Sequence, residues 1–154
     1  MVKSGELGAS VMLMGEYQHN IDIKGRLFMP VKLRESLGER FVLTKGLDGC
    51  LFVYDEEEWS NLVSKLKQIT LMKKEARDIA RYFFSGATEV ECDKQGRFLV
   101  PPVLRTHAAL EKGTVVVGVG NRVEIWATER WEAYNENINE DVTQIVEQLV
   151  DIGL

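Results

Sequence analysis

One stretch of this 154-residue chain occurs twice, and whatever fold it adopts must use a single supersecondary unit two times. Asp22-Ile23-Lys24-Gly25-Arg26-Leu27-Phe28-Met29-Pro30 returns 71 positions later as Asp93-Lys94-Gln95-Gly96-Arg97-Phe98-Leu99-Val100-Pro101. Leu33-Arg34 matches Leu104-Arg105 at the same offset; Gly46, Leu51, Val53, Tyr54 and Trp59 match Gly118, Val123, Ile125, Trp126 and Trp131 at 72. Two copies are too few for a solenoid, so a pseudo-twofold pair around one shared core is expected.

Within a copy, apolar period and turn chemistry set the elements. Glu16 to Asp22 and Arg26 to Met29 flank a short turn around Gly25 and read as a β-hairpin. Pro30 starts a short helix that Gly38 ends, and Pro101 starts its counterpart. Phe41 to Leu47 and Cys50 to Tyr54 are strands around Asp48-Gly49, with Gly120-Asn121 as the matching turn of the second copy. Asp55 followed by Glu58 opens a helix, and Trp59, Leu62, Val63, Leu66 and Ile69 recur along it at helical spacing. Thr70 to Ser85 forms a linking helix whose Lys73, Lys74, Arg77 and Arg81 read as a solvated face. Glu129 onward reads as a long acidic amphipathic helix. The expected division is therefore a leader over 1–13, disordered or added ahead of a natural start at Met12 or Met14, then a first repeat with linking helix over 14–85. A second repeat with the acidic helix follows over 86–154.

The net charge of −5 is unevenly spread. Residues 129–154 hold seven acids and one base, so everything before them sums to +1, with bases gathered in 19–45 and 65–81. Cys50 and Cys92 lie far apart without a CxxC or clustered histidines, which excludes a disulfide framework and a zinc site and leaves both as reduced core residues. Trp59, Trp126 and Trp131 fall on apolar faces and read as core. No segment approaches the ~20 apolar residues of a bilayer span, and the N-terminus lacks signal-peptide order, so a cytoplasmic protein without a membrane partner is expected.

Gly15-Glu16-Tyr17, the paired DxxGR motifs, Gly86-Ala87-Thr88-Glu89 and Asn121-Arg122-Val123-Glu124-Ile125-Trp126 together resemble the MraZ family over Met12 to about Tyr134. The resemblance implies an α+β fold of two tandem swapped-hairpin, AbrB-like β units forming a pseudo-twofold barrel with added helices. It also implies a ring-shaped homo-oligomer and a nucleoid-associated regulator that binds double-stranded DNA at repeats upstream of the bacterial division and cell-wall gene cluster.

The motif has a physical reading of its own. A rigid turn bearing Lys24, with Arg26 just after it, presents cations to a groove or to phosphates, and Lys94 and Arg97 offer the same from the second copy. Asp22, Gly25, Asp93 and Gly96 support the two turns, the aspartates by pairing with the arginines; such a pair leaves guanidinium donors to spare. His19 is a further candidate contact, balanced by an ordinary surface role, and His107 is bland. Lys24, Lys32 and Arg34 follow His19 around the first motif, whereas Glu89 and Glu91 lead into the second, so the first turn is expected to be the better reading head. Two rival classes were weighed. An aspartic dyad of Asp22 and Asp93 is disfavoured because each has an arginine four residues away that keeps it ionised, and no GxSxG, phosphate-cradling loop or HExxH is present, so no enzyme and no cofactor are expected. A protein-interaction module of antitoxin type without a direct DNA role is the alternative.

Overall fold

The strands do not pair with their neighbours in the chain. The computed structural model describes residues 13–69 and 72–149. The strands are β1 (Leu13–Asn20), β2 (Arg26–Phe28), β3 (Arg40–Lys45), β4 (Leu51–Tyr54), β5 (Thr88–Glu91), β6 (Arg97–Leu99), β7 (Gly113–Gly120) and β8 (Val123–Ala127). The helices are α1 (Val31–Leu37), α2 (Glu56–Gln68), α3 (Lys74–Ser85), α4 (Pro102–His107) and α5 (Thr128–Gln148). Six strands form one antiparallel sheet in the order β1-β7-β8-β4-β3-β5, and β2 and β6 form a separate two-stranded ribbon. Each repeat thus lends its first strand, β1 or β5, to the other repeat's sheet.

Two expectations need correction. The hairpin expected across Gly25 does not form, because β1 pairs with β7 and β2 with β6. β1 keeps Glu16, Gln18 and Asn20 exposed and offers β2 little apolar surface, whereas pairing β2 with β6 buries Leu27 against Phe98. The strands also form two sheets in an α+β fold and not one closed barrel, since the three-residue strands of the ribbon pair only with each other.

The repeat offsets are visible in the registers. Leu27 faces Phe98 and Phe52 faces Glu124, residues related by 71 and 72, so the pseudo-twofold axis runs between the members of both pairs. Leu43 opposes Val53 where Val116 opposes Ile125, which places β3 and β7 at an offset of 73. Lys45, not Gly46, is therefore the counterpart of Gly118, and the extra residue is taken back in the tighter turn between β7 and β8.

Alternation along the central strands fills two cores. Leu51, Val53, Val123 and Ile125 point to the layer made by the ribbon, α1 and α4, where Leu27, Leu33, Phe98 and Leu104 are buried. Phe52, Tyr54 and Trp126 point to the opposite layer, against Trp59, Leu62, Phe83 and Trp131 of α2, α3 and α5. All three tryptophans belong to this second core, and Cys50 and Cys92 are buried free thiols, Cys50 pushed up in pKa chiefly by burial. Local signals hold closely at the helix ends and the tight turn. Pro30 and Pro101 are N-caps, Gly38 ends α1 at φ 87°, Asp48-Gly49 turns at φ 68° and 90°, and Asp55 Oδ accepts the Glu58 N–H at 2.7 Å. On α3, Asp78 binds Lys74 at 2.6 Å and Arg81 at 3.1 Å, consistent with a solvated face. The leader falls outside the described residues except for Leu13, which is buried in β1. No helix among the described residues is long and apolar enough to cross a membrane.

Glu124 is 8% exposed on the axis and is held by Arg122 at 2.7 and 3.1 Å and by the Trp126 indole N–H at 2.9 Å. Removing it strands a half-buried guanidinium, so Glu124→Ala is expected to cost about 2–4 kcal/mol in urea unfolding. Leu27→Ala is expected to cost about 2–5 kcal/mol by opening a cavity on the axis.

Candidate nucleic-acid interface

Both DxxGR loops fold identically. In the first, Asp22 Oδ1 accepts the N–H groups of Lys24 and Arg26 at 2.9 and 2.8 Å, and its Oδ2 accepts Arg26 Nε at 2.7 Å. In the second, Asp93 Oδ1 accepts Gln95 and Arg97 N–H groups, both at 2.9 Å, and Oδ2 accepts Arg97 Nε at 3.1 Å. The aspartates fix the turns by occupying amides that a three-residue reversal leaves unpaired. Glycine follows because Gly25 and Gly96 lie at φ 88° and 84°, where a Cβ is strained. The backbone N–H of Arg26, ahead of its guanidinium, holds the Asp22 carboxyl below its ordinary range, and Arg97 does the same for Asp93. Each aspartate is thus ionised within its own loop, which leaves no basis for a shared-proton dyad.

The loops are tied across the axis. Val100 N–H donates to Gly25 C=O at 2.8 Å and Met29 N–H to Gly96 C=O at 3.0 Å, extending the β2/β6 register at both ends. Inward go Leu27 and Phe98, 1% and 2% exposed; outward, Arg26 faces Leu99 and Arg97 faces Phe28. The ribbon therefore displays two arginines and two apolar side chains related by the pseudo-dyad. Only Nε of each arginine is taken by its aspartate, which leaves four of five guanidinium donors for a ligand. Lys24 and Lys94 stand exposed at the loops, and Ile23 is almost wholly exposed beside Lys24.

The cationic surroundings of the loops are exchanged between the repeats. A Cβ at Gly25 would meet the Arg105 guanidinium at 2.7–2.9 Å, and one at Gly96 would meet Arg34 Nη1 at 2.0 Å. His19, Lys32 and Arg34 line one groove of about 410 Å³ with Gln95 of the second loop, and the His19 ring lies 5.9 Å from that of Phe28. The basic residues that follow the first motif in sequence thus gather at the second loop, because α1 crosses the axis. This corrects the expectation that they would favour the first turn. Sequence reasoning missed Arg34 and Arg105 as loop neighbours, although their shared offset of 71 marked them as a repeated pair. His107 is half-buried 3.3 Å from the Tyr82 hydroxyl, and burial, with Lys45 and Arg130 nearby, lowers its pKa. It takes no part in this surface. No group of three or more metal-ligating side chains occurs among the described residues.

The sequence model of the family described as "MraZ protein, putative antitoxin-like" matches residues 12–82 and again 83–152, once per repeat. The chain belongs to the MraZ family. A relative from Heliobacterium modesticaldum named "Transcriptional regulator MraZ" is 61% identical over 143 residues, 93% of this chain and all of the relative. Relatives of the same name from Ligilactobacillus salivarius and Desulforamulus reducens are each 55% identical over 93% and 92% of the chain. The double match to the family falls on the two strand-exchanging halves seen in the fold.

Gly96→Ala is expected to lower stability by about 1–3 kcal/mol, since it combines a left-handed backbone with displacement of Arg34; thermal melting checks this. The lowered carboxyl pKa values make the loop contribution complete above about pH 4, the ordinary aspartate range, and lost as pH falls through the lowered value. Asp22→Asn with Asp93→Asn should therefore flatten the dependence of Tm on pH below about 4.

Proposed function

We propose that the chain is a sequence-specific DNA-binding transcriptional regulator that acts as a homo-oligomer on repeated sites upstream of the division and cell-wall gene cluster. The observation that carries this reading is the ribbon's outer face, where Arg26 and Arg97 stand as a dyad-related pair, each pre-oriented by an aspartate and each with donors free. Arginines held rigid before binding lose little freedom on contact and match the acceptor pairs of guanine edges and phosphates. The relatives' name, "Transcriptional regulator MraZ", supports the same reading.

Few cations face outward per chain, so one subunit binds weakly, and an assembly engaging several repeats gains affinity through effective concentration. Exposed apolar side chains such as Val31, Val103, Leu99 and Phe28 supply contact surface for assembly or for DNA. The acidic α5 belongs away from phosphates. An antitoxin-type interaction module is the second reading, favoured by the family's description alone.

The test is binding to a duplex from the region upstream of its own gene and to a scrambled duplex. Arg26→Ala and Arg97→Ala, checked for parental melting and size, should each cost about 1–3 kcal/mol per engaged site on the upstream duplex and much less on the scrambled one. Equal binding of the two duplexes by the parent would count for the interaction module. Removing residues 136–154 should leave DNA affinity equal or tighter if assembly survives, and light scattering should report a mass well above twice 17.5 kDa.

A further inference from the structure

Arg26 and Arg97 are neutralised within their loops, so each DxxGR loop by itself carries one uncompensated charge, Lys24 or Lys94. Arg34 and Arg105 differ from them. Among the described residues neither has a carboxylate within ion-pair distance nor a side-chain hydrogen bond, and each guanidinium is seated against the glycine of the opposite repeat's loop. Both are half-buried, and the one nitrogen fully buried without a partner is Arg105 Nε, at the root of its guanidinium. A buried stem with an unpaired planar cation at its end is what anion recognition uses, because the fork is pre-positioned and its donors are not spent. The arrangement occurs twice, at sites related by the pseudo-dyad, on residues 71 apart.

We infer that Arg105 and Arg34 are phosphate-contacting residues of the nucleic-acid surface, Arg105 completing the first DxxGR loop and Arg34 the second, so that each contact head is built from both repeats. This rests on the DNA-binding reading above and assigns to that site two residues on α4 and α1. The glycines have a second role here, since a Cβ at either position would push the guanidinium away. Arg26 and Arg97 then read bases, while Lys24 with Arg105, and Lys94 with Arg34, grip the backbone.

The experiment measures affinity of the full chain for the upstream and scrambled duplexes across a series of salt concentrations, for the parent, Arg26→Ala, Arg105→Ala, Arg105→Lys and Arg34→Ala. Arg105→Ala and Arg34→Ala should weaken binding to both duplexes by the same factor, within about threefold, and lower the slope of log affinity against log salt by ~0.9 for each engaged subunit. Arg105→Lys should restore most of that slope. Should Arg105→Ala melt early, Arg105→Gln keeps the stem without the charge, and the same lowered slope is expected of it. An unchanged slope in the neutral variants, or a Lys variant as impaired as the Ala variant, makes Arg105 a mere buttress of the loop and overturns the assignment. That outcome alongside an Arg26→Ala variant that loses the upstream duplex leaves the DNA-binding reading standing; absence of binding by the parent to either duplex removes both.

Discussion

Everything else in this molecule depends on the apolar pairing of Leu27 with Phe98 across the pseudo-dyad. Neither three-residue strand has another partner, and neither repeat covers its own core. Once the two strands meet, α1 and α4 are carried to opposite sides of the axis and β1 and β5 are delivered to the far edges of the other repeat's sheet. Burial of this kind scales with area and needs no direction, but the glycine carbonyls at each end of the ribbon give it a register. A slip by one residue would turn Arg26 and Arg97 into the core and Leu27 and Phe98 out to water.

The same pairing decides the electrostatics. A loop of Asp, Lys and Arg is close to neutral locally, and its aspartate is occupied in fixing the turn. The added positive potential comes from the other repeat, through side chains that pack on a glycine because nothing larger fits. Rigidity and charge are thus separated. The loop supplies geometry from its own residues and receives charge across the axis. That division also explains why Asp22 and Asp93, duplicated and acidic, do not behave as a catalytic pair: each is committed to amides of its own loop and lies low in pKa for that reason.

The opposite layer has a different character. Its core is aromatic, with Trp126 flanked by Trp131 and Tyr134 at ring distances of 5.4 and 5.2 Å, and it buries one carboxylate, Glu124, only because Arg122 and an indole N–H satisfy it. The exact partner of Glu124 across the axis is Phe52, over which Arg122 also sits at 4.3 Å. The twofold is therefore broken chemically at the point where it is best kept in backbone register. An apolar residue in one copy and a salt-bridged one in the other share the axis without placing two like charges together.

Much of this was legible before any coordinates. The repeat, the proline-started helices, the Asp55 cap, the Asp48-Gly49 turn and the neutral cysteines all rest on interactions between residues a few positions apart, and short-range chemistry is written in the chain. The Asp22 to Arg26 and Asp93 to Arg97 contacts were legible for the same reason. What tertiary structure alone decided is which strand pairs with which. A local hairpin and an exchanged pairing make similar backbone hydrogen bonds, and the choice falls to the burial of Leu27, Phe98 and their neighbours from both copies at once. The basic residues after the first motif consequently serve the second loop, and Arg105 serves the first, an arrangement that sequence proximity argued against because the axis lies between them.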